Sequence, residues 1–116
     1  MTERIKTGNL GEHLAAEFLR QKGWEIVVRN YRHKHAEIDL IVKKENLLVF
    51  VEVKTRKSIS FGQPEAFVDV KKAAKIFEGA DQYTYEHNWN GNIRFDIVSV
   101  KVGDPPEIEH FEDAFH

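Results

Sequence analysis

The sequence predicts an α/β sandwich with a mixed β-sheet, and two kinds of apolar pattern carry that prediction. Apolar residues recur at the spacing of one helix face in two stretches, one near the N-terminus and one after position 64. Apolar residues that alternate with polar ones, as in strands, lie between and after these stretches. We expect the order α-β-β-β-α-β, with one further strand candidate at the C-terminus.

Two helices are predicted, each with its own start or stop signal. The first runs from about Asn9, which can cap it, to Lys22, because Gly23 then stops it; its apolar positions are Leu10, Leu14, Ala15, Phe18 and Leu19. The second has Pro64 in its first turn and reaches about Tyr85, with an apolar stripe formed by Ala66, Val70, Ala73, Phe77 and Ala80.

Four strands are predicted from the segments WEIVVRNYR, EIDLIVK, NLLVFVEVKTR and IRFDIVSVKV. The segment PPEIEHFEDAF is a poorer candidate for a last edge strand, because its two prolines cannot donate to a sheet ladder. We therefore expect one domain over residues 1–116, in which 103–116 form either an edge strand or an acidic tail.

Length and composition describe one ordinary globular domain. The 116 residues are 41% hydrophobic and 31% charged, which leaves room for a single core. The chain has no cysteine, which excludes disulfides and thiolate metal sites and suits a reducing cytoplasm. Its N-terminus lacks the apolar core of a signal peptide, and its longest apolar run, Leu47–Val51, is too short to cross a bilayer. We expect a cytoplasmic protein with no membrane partner.

Asp39, Glu52 and Lys54 interrupt the second and third predicted strands. The turn that joins these strands is either Glu45-Asn46 or the four residues 43–46, and both loops are even in length. One face of the hairpin then carries Ile38, Leu40, Val42, Val49, Val51 and Val53. The other face carries Asp39, Ile41, Phe50, Glu52 and Lys54. With the two-residue loop, Asp39 lies directly opposite Glu52, where like charges are destabilising unless a positive charge sits between them.

A divalent cation suits this pair of carboxylates. Mg²⁺ or Mn²⁺ takes oxygen ligands, which Asp39, Glu52 and the backbone carbonyl of Val53 could supply. Lys54 would then stand beside the metal, in the layout of metal-assisted phosphodiester hydrolysis. The alternative is a solvated pair of Glu52 and Lys54 at a strand end, with Asp39 satisfied by a backbone amide.

A third carboxylate, Glu12, lies on a small, apolar flank of the first helix. It is expected either to support the metal, through water or as a ligand of a second ion, or to stabilise the positive end of the helix dipole.

Basic residues concentrate in the part of the chain that holds these carboxylates. Residues 1–75 contain 15 basic and 10 acidic side chains, whereas residues 76–116 contain 2 and 9. The candidates for contact with a nucleic-acid backbone are Arg32, Lys34, Arg56, Lys57, Gln63 and Lys72. A solvated surface of mixed sign explains the same residues. His33 and His35 would form a metal-binding pair if their segment were extended, although a turn or a basic patch fits its polar context better.

Five blocks of the sequence resemble the YraN-like family of uncharacterised small proteins: GEHLAAEFLRQKGWEIVVRNYR, EIDLIV, LVFVEVKTR, FGQPEAFVDVKKAAKI and RFDIVSV. That family is regarded as a relative of the PD-(D/E)xK nucleases, near the archaeal Holliday-junction resolvases. The resemblance implies a restriction-endonuclease-like sandwich. It also implies that Asp39 is the core acidic residue, that Glu52, Val53 and Lys54 are the E-x-K motif, and that Glu12 is the helix-one glutamate. Ile38 replaces the superfamily's proline, and Ala36 replaces a frequent glycine.

The leading hypothesis is a Mg²⁺- or Mn²⁺-dependent endonuclease that acts on DNA, with branched DNA as one candidate substrate and a homodimer as one candidate assembly. The catalytic residues are predicted to be Glu12, Asp39, Glu52 and Lys54. Two alternatives stay open, namely a nucleic-acid-binding module whose site cleaves slowly or not at all, and a protein-interaction domain with an incidental acidic cluster.

Overall fold

A computed structural model describes residues 6–56 and 67–116, and side chains from residue 9 onward within those ranges. Two helices and five strands follow one another in the predicted order: α1 (Lys6–Gln21), β1 (Glu25–His33), β2 (Ala36–Lys44), β3 (Leu47–Arg56), α2 (Val70–Glu86), β4 (Asn92–Lys101) and β5 (Glu107–Phe111). The α/β class is therefore confirmed, and the segment that begins with two prolines does contain a strand.

The five strands form one mixed sheet whose spatial order is the same as their order along the chain. The neighbours β1–β2, β2–β3 and β4–β5 are antiparallel, whereas β3 and β4 are parallel. Parallel neighbours need a crossover connection, and α2 provides it. The strand β3 lies in the middle of the sheet: all of it pairs with β4, whereas only Leu47–Val51 pair with β2 on the other side.

Two hydrophobic clusters cover the two faces of the sheet, one beneath each helix. The cluster under α1 contains Ala15, Ala16 and Leu19 together with Leu40, Val42, Val49, Val51, Val98 and Val100. The cluster under α2 contains Ile76, Ala80 and Tyr83 together with Ile38, Ile41, Phe50 and Ile97. The central sheet is thus buried on both sides, as expected for a sandwich.

The first helix ends where the sequence predicted but begins earlier. Gly23 has a φ of 99°, and the backbone N–H groups of Gly23 and Trp24 donate to the carbonyls of Arg20 and Leu19, which closes the C-terminus of α1. The predicted cap at Asn9 is wrong, because α1 already includes Lys6 and Asn9 lies exposed within it.

The second helix begins later than predicted. Its N-cap is Asp69, whose carboxylate accepts the backbone N–H of Lys72 at 2.8 Å, and residues 67–69 are not helical. Val70 is therefore in the first turn and 85% exposed, so it does not belong to the buried stripe. That stripe consists of Ile76, Gly79, Ala80 and Tyr83. The predicted start at Pro64 and the position of Ala66 lie outside the described residues.

Candidate functional site

The hairpin of β2 and β3 has the two-residue turn Glu45-Asn46, one of the two turns that the sequence allowed. Lys44 pairs with Leu47, and the same register continues up to the pair of Leu40 and Val51. The turn residue Glu45 has a φ of 55°. Because the register places Asp39 and Glu52 next in the series, the two carboxylates reach the same end of the hairpin, as the loop length predicted.

The backbone ladder between β2 and β3 ends at the pair of Leu40 and Val51. Beyond it, the side chain of Asp39 pairs with the backbone of β3. Its Oδ2 atom accepts the backbone N–H of Val53 at 2.8 Å. Asp39 is thus satisfied in part by a backbone amide, as one of the alternatives expected. The second Asp39 oxygen has no recorded donor among the described residues.

The predicted face of one residue beside Asp39 is wrong. Ile38 was expected on the side of Leu40 and Val42, but Ile38 packs in the α2 cluster whereas Leu40 packs in the α1 cluster. A Cβ atom at Gly79 of α2 would lie 3.2 Å from Ile38 Cδ1. The alternation of β2 therefore breaks at Asp39, where the carboxylate bonds to the backbone of β3 instead of projecting from a regular strand.

Glu52 is the second carboxylate of the site, and it is buried. Its side chain is 6% exposed and its Oε2 atom lies 3.2 Å from the ammonium of Lys72, on the first turn of α2. The Oε1 atom is buried and has no hydrogen-bond partner within the described part of the chain. The alternative of a solvated strand-end pair with Lys54 does not describe this environment, because Glu52 is buried and its ion pair is with Lys72.

Burial and the neighbouring charge of Glu52 act together on Asp39. Removal from water is the larger cause, the Glu52 carboxylate adds to it, and together they raise the pKa of Asp39 to about 7. The hydrogen bond from Val53 and the positive charge of Lys72 lower the pKa of Asp39, whereas the negative charge of Glu12 raises it further. The surroundings therefore disfavour the charged form of Asp39, whose carboxyl takes up its proton near neutral pH.

Glu12 approaches the site from the other face of the sheet. It is partly buried on α1, and its charge is one of those that raise the pKa of Asp39. Helix α1 can come this close to β3 because the preceding residue is Gly11: a Cβ atom there would overlap the side chain of Thr55, with the Thr55 Cγ2 atom only 2.8 Å away. The small residue at position 11 therefore lets α1 pack closely against β3 directly before Glu12.

Lys54 follows Glu52 on β3 and is partly buried. It is level with Ser99 on the parallel neighbour β4, and Ser99 is a buried polar residue that the sequence did not indicate as part of the site. The Lys54 ammonium forms no hydrogen bond or ion pair with the residues in the described ranges.

The donor set at this end of the sheet fits one hard divalent cation held by few protein ligands. Mg²⁺ is commonly bound by one or two carboxylates with water completing its shell, and the buried Glu52 Oε1 atom offers an oxygen to which no described residue donates. Across residues 6–56 and 67–116, no three carboxylate or imidazole side chains converge as a preformed metal centre. Glu12 therefore does not complete such a set with Asp39 and Glu52.

The candidate nucleic-acid contacts have different surroundings. Arg32 forms an exposed ion pair with Glu37 at 3.3 Å, and Lys34 is exposed in the turn between β1 and β2. Arg56 ends β3 and is partly buried, and Lys72 is paired with Glu52. Lys57 and Gln63 lie outside the described residues.

His33 and His35 do not lie on one extended face. His33 ends β1, whereas His35 is in the turn that follows, where Lys34 has a φ of 56°. The turn interpretation of this segment is confirmed, and the extended pair of imidazoles that metal binding required is not formed.

A second buried acid, Asp96 on β4, was missed by the sequence-based search for site residues. Its two oxygens lie 2.9 Å from Arg94 Nε and Nη2, 2.7 Å from His110 Nε2 and 2.9 Å from the backbone N–H of Asp113. These partners hold the pKa of Asp96 below its usual range although burial alone would raise it. The sequence did contain a signal for this residue, since Asp96 is an aspartate among the buried positions of the strand segment IRFDIVSV. Its partners bind the C-terminal segment to the sheet.

Comparison with known protein families gives a match over residues 11–100 to a family described as "Uncharacterised protein family UPF0102". The chain belongs to this family. Its relatives include the UPF0102 protein FP2501 of Flavobacterium psychrophilum, which is 45% identical over 100% of this chain and 98% of its own length. A UPF0102 protein of Cytophaga hutchinsonii is 47% identical over 84% of this chain and 87% of its own. The resemblance to the YraN-like family is thereby confirmed.

Among solved structures, the chain is similar to SfsA of Pyrococcus furiosus in complex with Ca²⁺, with a TM-score of 0.37 and 13% identity. The match covers 94% of this chain and 63% of the SfsA chain. No helix in the two described ranges has both the length and the apolar character needed to cross a membrane.

Proposed function

We propose that this protein is a metal-dependent endonuclease that hydrolyses phosphodiester bonds in DNA. The observation that supports it most is the buried Glu52 carboxylate, one oxygen of which receives no donor from the described residues, and which lies beside Asp39 at the open end of the β2–β3 ladder. Burial of an unpaired carboxylate oxygen costs stability, so a site that keeps one needs a reason other than folding.

Asp39, Glu52 and the backbone carbonyl of Val53 are the groups that would hold a Mg²⁺ or Mn²⁺ ion. Such an ion supplies a polarised phosphoryl oxygen and a water that deprotonates near neutral pH. Glu12 adds negative charge from α1 and helps to retain the ion or its water shell. The sandwich contributes rigidity, because both ligands lie on strands that are buried beneath the two helices.

Lys54 is assigned the role of stabilising charge that develops on the phosphoryl oxygens. Lys54 lies two residues after Glu52 on β3, and its ammonium forms no hydrogen bond or ion pair with the described residues. A cation that the described residues do not engage is available to act in the transition state, where its contribution counts toward rate.

The basic residues near this end of the sheet supply contacts with the DNA backbone. Arg32 and Lys34 come before β2 in the chain, Arg56 is the last residue of β3, and Lys57 and Gln63 follow Arg56 in the sequence. Contacts of this kind carry no base information, so we expect recognition of DNA shape, with branched DNA as the substrate to test first. One site cuts one strand, so symmetric cleavage of a junction would require a homodimer. The cysteine-free sequence supports a cytoplasmic location.

The test is a cleavage assay with and without Mg²⁺ or Mn²⁺ on junction, flap and single-stranded DNA. Lys54→Ala should lower the cleavage rate by about a hundredfold or more, the scale seen when one transition-state donor is removed. Its affinity for DNA should remain nearly unchanged, because one cation among many contributes little to backbone binding. Lys57→Ala is the matched control and should weaken binding and cleavage together. Wild-type protein that cuts none of these substrates with either metal would refute the proposal, and equal cleavage by Lys54→Ala would refute the role of Lys54.

A second candidate is a DNA-binding module whose site has lost its activity. The ion pair between Lys72 and Glu52 favours it, because a lysine that had permanently replaced the metal would form the same contact with Glu52. DNA binding that does not depend on the metal, together with no cleavage, would select this candidate.

A further inference from the structure

The ion pair between Lys72 and Glu52 joins two groups of very different exposure. The Glu52 side chain is 6% exposed, whereas the Lys72 side chain is 48% exposed, and 3.2 Å separate Oε2 from Nζ. The carboxylate is therefore fixed in the protein, while much of the lysine stem is in contact with water. A flexible, strongly hydrated ammonium can leave such a pair without any rearrangement of the core.

The backbone of Lys72 is held independently of its side chain. Its N–H donates to the carboxylate of the N-cap Asp69 at 2.8 Å, which fixes the first turn of α2. Movement of the Lys72 ammonium away from Glu52 consequently requires rotations about side-chain bonds alone.

The charge balance of the site shows what the Lys72 ammonium does in its position beside Glu52. Asp39 and Glu52 lie together, and the recorded ion pair to this couple in the described residues is that of Lys72. Lys72 contacts one oxygen of Glu52, and no other group in residues 6–56 and 67–116 pairs with Oε1, so Lys72 neutralises the site without filling it.

We propose that Lys72 is an exchangeable counter-ion of the site. It neutralises Glu52 in the metal-free protein, yields Glu52 to a divalent cation when one binds, and then turns its ammonium toward a DNA phosphate. This inference rests on the metal site of the proposed function. It adds that metal binding and backbone contact are coupled through one lysine, so metal loading also increases the protein's affinity for DNA.

The exchange has a thermodynamic signature that does not depend on catalysis. Because Lys72 and the cation compete for the same carboxylate, removal of the lysine must tighten metal binding. Lys72→Ala should bind Mn²⁺ about fivefold more tightly than wild type in calorimetric titration, the upper end for loss of a half-exposed ion pair. Lys75→Ala is the matched control, since Lys75 lies exposed on the same helix and has no recorded ion pair within the described residues. Its affinity should stay within about twofold of wild type.

A second measurement uses the wild-type protein and so does not depend on the stability of a variant. A short pulse of an amine-reactive ester, followed by peptide mass spectrometry, gives the ratio of labelling at Lys72 to labelling at Lys75. Saturating Mn²⁺ should raise this ratio severalfold, because Lys72 leaves its carboxylate. Mn²⁺ binding with an unchanged ratio would overturn the exchange, as would equal or weaker Mn²⁺ affinity in Lys72→Ala.

The outcomes separate this inference from the proposed nuclease. A protein that binds Mn²⁺, releases Lys72 and cuts no DNA keeps the exchange and refutes the nuclease. A protein that cuts DNA with metal while Lys72 stays as protected as before keeps the nuclease and refutes the exchange. If Lys72→Ala binds Mn²⁺ and wild type binds none, Lys72 is a permanent occupant and the exchange is refuted.

Discussion

Asp39→Asn should stabilise the protein at neutral and alkaline pH while it removes the response to metal. The asparagine has nearly the same shape, and its side-chain oxygen can still accept the backbone N–H of Val53 that Asp39 accepts at 2.8 Å. What the substitution removes is the negative charge, which burial and the nearby Glu52 both disfavour. The variant therefore isolates the electrostatic cost of keeping this carboxylate.

The sign of the pH dependence follows from the raised pKa. Unfolded aspartate titrates near 3.9, whereas Asp39 in the folded protein titrates at about 7, so the folded state retains its proton more strongly. The contribution of this group to stability is therefore most favourable below about pH 4 and is lost as pH rises to about 7. A difference of about three units corresponds to at most about 4 kcal/mol, and partial exposure to water reduces it to about 2–4 kcal/mol.

Urea unfolding of both proteins at pH 4, 6 and 8 measures this difference directly. The variant should be about 2–4 kcal/mol more stable than wild type at pH 8 and nearly equal at pH 4. Titrating groups that do not interact with Asp39, such as Asp96, are common to both proteins and cancel in the comparison. A difference that does not change with pH, or a variant less stable at pH 8, would refute the argument that an uncompensated charge resides on Asp39.

The same pair of proteins tests the ion. Millimolar Mn²⁺ or Mg²⁺ should raise the melting temperature of wild type, because a ligand that binds only the folded state stabilises it. Asp39→Asn should lose most of that increase. If wild type does not respond to either ion, or if the variant responds equally, then Asp39 is not a metal ligand.

Two further substitutions test how the fold supports the site. Gly11→Ala should lower the free energy of unfolding by about 1–3 kcal/mol, because the new Cβ atom overlaps Thr55. Gly103→Ala is the control and should change this free energy little, since the nearest atom to its new Cβ lies at 3.5 Å. Equal urea midpoints for the two variants would contradict this prediction. Asp96→Ala should cost about 3–5 kcal/mol, since it leaves Arg94 and His110 without their buried partner, and a loss below 1 kcal/mol would contradict that role.

The hairpin of the sheet could be predicted because a short loop allows few pairing registers between the two strands that it joins. A loop of two residues fixes which positions of β2 and β3 face each other, and the apolar alternation of both strands excludes a shift by one residue. The observed register from Lys44 and Leu47 to Leu40 and Val51 follows from that constraint alone.

The start of α2 was harder to predict because two signals compete. A proline is common in the first turn of a helix, but an aspartate that can accept a backbone N–H three residues later is an equally ordinary start signal. Residues 67–69 are not helical and Asp69 caps the helix, which leaves Val70 exposed. The periodicity of the apolar residues does not distinguish these positions, because it indicates the face of a helix and not its first residue.

The break in β2 and the partner of Glu52 lie beyond what strand patterns can indicate. Ile38 packs against α2 because the chain departs from regular alternation at Asp39, and a period of two contains no signal for such a departure. Lys72 reaches Glu52 from another element, twenty positions along the chain. The sequence indicated Lys72 as a basic residue for nucleic acid, but the path of the crossover helix decided which carboxylate it meets.

The contrast between two buried acids in one sheet supports the view that the Glu52 site is functional. Around Asp96, the protein places two N–H groups of Arg94, the backbone N–H of Asp113 and the imidazole of His110, so both oxygens are satisfied. Glu52 is also buried but has a single cation at one oxygen and nothing in the described residues at the other. This fold satisfies the buried carboxylate of Asp96 completely. The incomplete set of partners around Glu52 is therefore not a general property of buried acids in this sheet. An unsatisfied buried oxygen in a native protein calls for a specific explanation, and a ligand that binds through that oxygen is the explanation that the neighbouring Asp39 supports.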